Sequence, residues 1–193
     1  MDQVYILEKT YDNINSSNDQ IQKGEYDNCI FSNCDFSNSN LSGFIFIDCQ
    51  FIACNLSLVV LSKTSFRDTR FKDCKMLGLH FENCNPYGLT FNFINCNLNH
   101  SIFFQTKIRF TSFVNCQLCD VDFSECDLTS ADFQNCDLKD STIDNTNLEK
   151  ADFRTSSNYS IDLELNKIKK ARFSLSGIIG LLEKYNIEID RGS

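Results

Sequence analysis

Proline occurs once in these 193 residues, tryptophan not at all, histidine twice and glycine seven times. Each scarcity excludes something. Seven scattered glycines leave no glycine-rich loop to cradle a phosphate. The two histidines, His80 and His100, have no serine or cysteine tied to either, so no nucleophile and base pair is legible. No run of eighteen apolar residues is present, and no membrane-spanning helix is expected. Residues 1–8 lack the basic-then-apolar order of an export signal, which makes the cytoplasm the expected location. Basic residues are also short: 18 Lys and Arg stand against 26 Asp and Glu, a net charge of −8. Such a surface does not grip DNA or an anionic membrane through bulk charge. The apolar fraction of 42% still suffices for one packed domain.

Phenylalanine and cysteine are abundant instead, at 18 and 11 residues. They fall on a period of five. One column reads Phe31, Phe36, Leu41, Phe46, Phe51, Leu56, Leu61, Phe66, Phe71, Met76, Phe81. It resumes in a shifted register as Phe93, Leu98, Phe103, Ile108, Phe113, Leu118, Phe123, Leu128, Phe133, and runs on to Phe153. A second column of mostly small residues lies two positions earlier and includes Cys29, Cys34, Cys54, Cys74, Cys96, Cys116, Ala131 and Cys136. Five is neither the helical period nor the plain strand period. Two residues at spacing two share a direction, as in a short extended segment, and the polar residues between turn a corner. A chain that repeats this coils about an axis, and stacked coils bury a column that one unit cannot bury alone.

The units Ala131-Asp132-Phe133-Gln134-Asn135, Cys136-Asp137-Leu138-Lys139-Asp140 and Ala151-Asp152-Phe153-Arg154-Thr155 resemble the A-D/N-L-x-x repeat of the pentapeptide-repeat proteins. That resemblance implies an all-β solenoid: a right-handed quadrilateral β-helix with four units per coil. Residues 21–155 carry the repeat. Residues 1–20 are expected to cap the first coil, and 156–190 to supply a connection, a short C-terminal α-helix and a strand. The extra residues between Phe81 and Phe93 are expected to bulge at Asn85, Pro86, Tyr87 and Gly88, where the turn chemistry is right; a loop contact with a partner is the functional reading of that turn.

In the C-terminal segment Leu175, Ile178, Ile179, Leu182 and Tyr185 share a broad apolar face, and Ile187 and Ile189 alternate like a strand. The segment either plugs the last coil or joins two copies. The resemblance to the quinolone-resistance branch of the family implies the homodimer.

Cysteines in the small column read as core. Directly stacked Cβ atoms stay near the coil spacing of ~4.8 Å, beyond the usual disulfide separation, so free thiols are expected. Cys116 and Cys119 form the one C-x-x-C, but one points in and the other out, which gives no shared metal ligand. No metal or cofactor is expected. Acid is dense over residues 113–153, with Asp120, Asp122, Glu125, Asp127, Asp132, Asp137, Asp140 and Asp144 as the main candidates for a binding surface. The rod therefore reads as polarised along its length, acidic towards its C-terminal half. The resemblance to topoisomerase-protecting members implies a non-enzymatic DNA mimic that binds DNA gyrase or topoisomerase IV, with these acids standing in for phosphates. The alternative is a scaffold that binds another protein through an apolar patch, either Ile102, Phe104 and Phe110 or Ile45, Ile47 and Ile52.

Overall fold

A computed structural model describes residues 4–18 and 21–190. The chain winds into a four-sided parallel solenoid. Two adjoining sides are sheets. Face A stacks β1 (Val4–Leu7), β3 (Gly24–Asp27), β5 (Ile45–Ile47) and β7 (Ser65–Arg67). Face B stacks β2 (Thr10–Asp12), β4 (Ile30–Ser32), β6 (Gln50–Ile52), β8 (Thr69–Lys72), β9 (Phe91–Ile94), β10 (Ser112–Val114) and β11 (Asp132–Gln134). Faces C and D are held by single bridges, Asp35–Asn55–Lys75–Asn97–Gln117–Asp137 on C and His80–Ile102–Asp122–Thr142 on D. Beyond β7, face A continues as the ladder Lys107–Asp127–Asn147–Lys167.

The five-residue unit explains the four corners. Its last residue takes positive φ, as at Asn33, Asp48, Asp73, Asn95, Asn115 and Asn135. Asn and Asp tolerate that left-handed conformation better than most residues, because their short polar side chains bond locally. On the corner between B and C they also bond to one another. Asn95 donates to Asp73 (2.8 Å), Asn115 to Asn95 (3.0 Å) and Asn135 to Asn115 (3.1 Å).

Inside, the aromatic column of face B stacks one ring per coil. Centroids lie 4.7 Å apart for Phe31–Phe51, 5.3 Å for Phe71–Phe93, 5.0 Å for Phe113–Phe133 and 4.6 Å for Phe133–Phe153. The column therefore passes the register break without a gap. Pairing changes there from a 20-residue step, Phe51 with Phe71, to a 22-residue step, Phe71 with Phe93. A 3-10 turn at Phe81–Asn83 and a bend with Gly88 at φ +69° absorb the surplus.

Ten of the cysteines are buried and all eleven are free. Cys54, Cys74 and Cys136 donate from Sγ to the carbonyls of Phe31, Phe51 and Phe113 in the coil before. Burial pushes the Cys126 thiol up to about 11, so it stays protonated and inert.

The coil is longer than the repeat pattern suggests. β1 and β2 pair in register with β3 and β4, so residues 4–18 lay down a coil below residue 21. At the other end Arg172 bridges Asp152 and Phe173 stacks on Phe153, which makes Ala171-Arg172-Phe173 a last unit. A 3-10 turn (Ser176–Ile178), the short helix α1 (Ile179–Leu182) and another 3-10 turn (Glu183–Tyr185) then close the top, and the strand expected over Ile187 and Ile189 does not form, since no neighbouring strand pairs with it among the described residues.

Candidate protein-docking surface

Because side chains alternate in and out, each face presents two outward positions per coil and each corner a third. The chain's acids are sorted by that geometry. Asp137 lies on face C, Asp122 and Asp144 on face D, Asp120 and Asp140 one above the other on the C/D corner, and Glu125 on the far corner of D. These six form one acidic side. Asp127 falls on face A and Asp132 on face B, so the structure sets them apart from the others.

The two groups differ in their partners. Asp127 accepts from Arg109 Nε at 2.6 Å. Burial pushes its carboxyl up, but hydrogen bonds from Arg109 and Thr129 outweigh that and hold it below the ordinary carboxylate range. Asp132 lies one coil below Asp152, and burial together with that neighbouring charge raises it. Asp152 is itself bonded by Arg154 at 2.8 Å and Arg172 at 2.8 Å, and the Arg154 bond lowers it. Among the six on the acidic side, the ion pairs of the described residues include only His100 with Asp120, at 3.5 Å. Their other contacts are neutral: Asp137 accepts from Asn158 (2.7 Å) and Glu125 from Gln105 (2.7 Å).

The polarity of the rod is therefore lateral as well as longitudinal. In the C-terminal half, faces C and D hold those six acids plus Asp162 and Glu164, against Lys139 and the capping Lys184. Faces A and B hold Lys107, Arg109, Lys150, Arg154, Lys167, Lys169, Lys170 and Arg172 against Asp127, Asp132, Glu149 and Asp152. The sequence density over 113–153 merges these two sides. Asp162 and Glu164 escape the pentad pattern because they follow its end, although counting forty residues on from Asp122 and twenty on from Asp144 finds them.

Two further predicted groups divide. Ile102 and Phe104 share face D, whereas Phe110 stands 72% exposed on the A/B corner. Ile45 and Ile47 lie on face A, and Ile52 on face B. The apolar surface next to the acidic side is instead Leu58 (59% exposed), Val60 and Leu77, in the coils below His80 and His100. Asn85, Pro86, Tyr87 and Gly88 lie at the register break on face A, where Arg67 sits 6.0 Å over the exposed Tyr87 ring.

At the C-terminus, Leu181 and Tyr159 fill the top of the coil, both buried. Gly180 lies so close to Tyr159 that a Cβ there would collide with the Tyr159 carbonyl oxygen, and the Gly180 carbonyl accepts from Ile161 N–H at 3.0 Å. Lys184 ties the cap to Asp162 (2.6 Å) and Glu164 (3.0 Å). Leu175, Ile178, Tyr185, Ile187 and Ile189 stay exposed, and Ile179 and Leu182 are half-buried. Neither Tyr159 nor Leu181 lies on the repeat, so the plug was invisible to the periodicity. A concavity of about 980 Å³ runs between this segment and the last coils, and no histidine or cysteine lines it. No group of three or more His, Cys, Asp or Glu among the described residues is arranged to hold a metal ion. No helix of the described residues is long and apolar enough to cross a membrane.

The pentapeptide repeat region family matches residues 25–92 and 78–153. Among solved structures the fold is similar to that of full-length QnrB1, a plasmid-mediated fluoroquinolone resistance protein. Identity is 17% and the TM-score 0.49, with 95% of this chain and 100% of that one covered. It is also similar to HetL, a pentapeptide repeat protein involved in heterocyst differentiation regulation from the cyanobacterium Nostoc. There identity is 13% and the TM-score 0.41, covering 91% of this chain and 88% of that one. At those identities the likeness speaks to fold alone. No curated protein matches. The five-residue period, the four-sided parallel coil and a family match running from residue 25 to 153 agree, and the chain belongs to the pentapeptide-repeat family.

Proposed function

We propose that this rod is a non-enzymatic protein that docks its acidic C/D side into the basic, DNA-binding groove of a type II topoisomerase, DNA gyrase or topoisomerase IV. The observation that carries the reading is charge density. Eight acids, Asp120 to Glu164, lie within little more than two coils on C and D, a rise of ~11 Å at the parallel-strand spacing. Duplex DNA carries about one charge per 1.7 Å, or roughly six over that length. Set against Lys139 and Lys184, the eight acids leave a net of about six negative charges, close to that of the duplex segment, and the match needs no chemistry on a bound ligand. Such a partner places the protein in the cytoplasm, where shielding the enzyme from a quinolone or a peptide toxin is the benefit.

The apolar C-terminal surface supports a second copy there, since Leu181 already does the capping and leaves Leu175, Ile178, Ile187 and Ile189 in solvent. Leu182→Glu tests that joint by sedimentation, with a shift to a smaller species expected. A scaffold reading has one observation in its favour, the exposed Leu58 and Val60 beside the acidic side. Salt separates the two readings, because charge-matched docking weakens with ionic strength and apolar docking does not.

The test is DNA supercoiling by gyrase and decatenation by topoisomerase IV with increasing protein, with and without a quinolone. Restored activity in the presence of drug supports protection. Inhibition without rescue supports docking alone. No effect on either enzyme overturns the topoisomerase reading and leaves the scaffold.

A further inference from the structure

The lower end of the rod differs from the capped top. β1 and β2 are the outermost strands of their sheets, and no strand of the described residues lies beneath them. The ladder shows which groups this leaves facing along the axis. Ile30 N–H donates down to Lys9 O, and Ser32 O accepts from Asn13 N–H. On face A, Asp27 O accepts from Glu8 N–H in the same way. The positions equivalent to Glu25 and Asp27 one coil lower are Tyr5 and Leu7. Their N–H and C=O groups therefore point out of the end of the rod, with no partner strand among the described residues.

Three observations say what fits this edge. First, the downward groups belong to alternate residues flanking Ile6, so the edge is complementary to itself. A two-fold axis at Ile6 sets Tyr5 opposite Leu7 of a second copy, and Leu7 opposite its Tyr5. Each pair then exchanges N–H and C=O hydrogen bonds in an antiparallel register. Second, the outward side chains of this strand are Leu7 and the ring of Tyr5, whose hydroxyl donates to Asp27 at 2.9 Å, where those of the next coil are Glu25 and Asp27. Tyr5 is 56% and Leu7 53% exposed. In the antiparallel register these two become direct cross-strand neighbours and cover each other. Third, the bottom layer of the core, Ile6, Tyr11, Ile14 and Ile21, is only partly buried, as is the topmost layer of Leu163, Ile168 and Phe173, but at the bottom no cap of the described residues covers it.

We infer that the N-terminal edge is an isologous joint in which β1 pairs antiparallel with β1 of a second copy about Ile6. The inference is independent of the topoisomerase reading and of the C-terminal joint. If both ends pair, rods are strung end to end with alternating joints.

The experiment is sedimentation over a concentration series on the full chain in the Leu182→Glu background, which disables the C-terminal joint. A concentration-dependent dimer is expected there, and addition of Tyr5→Lys and Leu7→Lys should reduce it to monomer. Both sites are exposed, and an unchanged thermal melt shows that the rod is intact. A monomer throughout in Leu182→Glu overturns the inference, as does a dimer that survives the two lysines. Ile6→Cys in the same background reads the register. Mild oxidation should give a disulfide between the two copies at position 6 and a dimer band on a non-reducing gel, which the parent lacks. Failure of that band to form overturns the register.

Discussion

The two sides of the C-terminal half are built on one core and diverge only at its outward positions. Behind face D stands Phe123 and behind face B stands Phe133, both without exposure and 5.9 Å apart. Outward, face B answers its acids with arginine, Asp152 with Arg154 and Arg172, whereas faces C and D leave Asp120, Asp122, Asp140 and Asp144 without a lysine or arginine partner. A solvated acid with no function is tolerable on any surface. What the comparison teaches is that arginine meets Asp127 and Asp152 on faces A and B, whereas on C and D a lysine meets only Asp162 and Glu164, beneath the cap, among the described residues. Backbone chemistry accounts for part of that. The C/D corner needs left-handed residues and takes Asp120 and Asp140 at φ 54° and 58°, whereas the A/B corner takes Phe110, Lys150 and Lys170, all above 60°. Corner geometry explains those two aspartates. Asp122 and Asp137 are not at corners but accept from the N–H two residues on, Ser124 at 2.8 Å and Lys139 at 3.2 Å, whereas Asp144 has neither reason among the described residues.

The largest test asks whether the core is in fact common to both sides. Phe123→Ala and Phe133→Ala should each cost about 3–5 kcal/mol through the cavity left. Denaturant unfolding that shows one of them below about 1 kcal/mol would mean that the two sides rest on different foundations. The next asks whether the sides differ in docking. Asp120→Lys with Asp140→Lys should weaken binding to a topoisomerase by at least about tenfold, roughly 1.4 kcal/mol. Lys150→Glu with Lys170→Glu on the opposite corner should leave it unchanged. Equal losses from both pairs, measured by titration at fixed salt, would erase the distinction.

Phe110→Asn addresses the corners. It replaces a bulky residue at φ 61° with one suited to that region, and a gain of about 1 kcal/mol in unfolding free energy is expected. Asp120→Ala, at the matching corner, should lose stability instead. The smallest effect concerns pH. Asp152 and Asp127 are held below the ordinary value of 3.8 in the folded rod. Their contribution is present above that value and is lost as pH falls below it, through the depressed folded values. Asp152→Asn should therefore flatten the acid limb of a melting series below about pH 4. Asp132 is raised, so its ionised form opposes folding. Asp132→Asn should lift the melting temperature slightly at neutral pH.

Much of the architecture could be read from residues alone, because a Phe or Leu every fifth position has one economical solution and the break at Asn85–Gly88 shows as a phase shift. Sidedness was harder. Asp122 and Asp132 are ten residues apart and look alike, yet they face opposite ways, since half a coil separates them. Reading that requires the four-unit coil and the 22-residue step, neither of which a one-dimensional charge count contains. The ends were hardest. Residues 4–18 form a coil with few of the expected phenylalanines, and the plug of Tyr159 and Leu181 is off the period altogether.

The single 22-residue step has a consequence for how the chain finds its pairing. Coils spaced a uniform twenty residues apart are nearly interchangeable, so a strand that docks one coil too far still meets a phenylalanine. Stacks of like repeats are prone to such slips, because each unit touches only its neighbours. Here only the pairings that cross the break, Phe71 with Phe93, Lys75 with Asn97 and His80 with Ile102 on their three faces, have that length among the described residues. A chain offset by one coil would bring the surplus turn at Pro86 against a coil with no room for it. The turn thus acts as an index mark on an otherwise repetitive ruler, and its deletion should show as slow, multiphase refolding before it shows as lost stability.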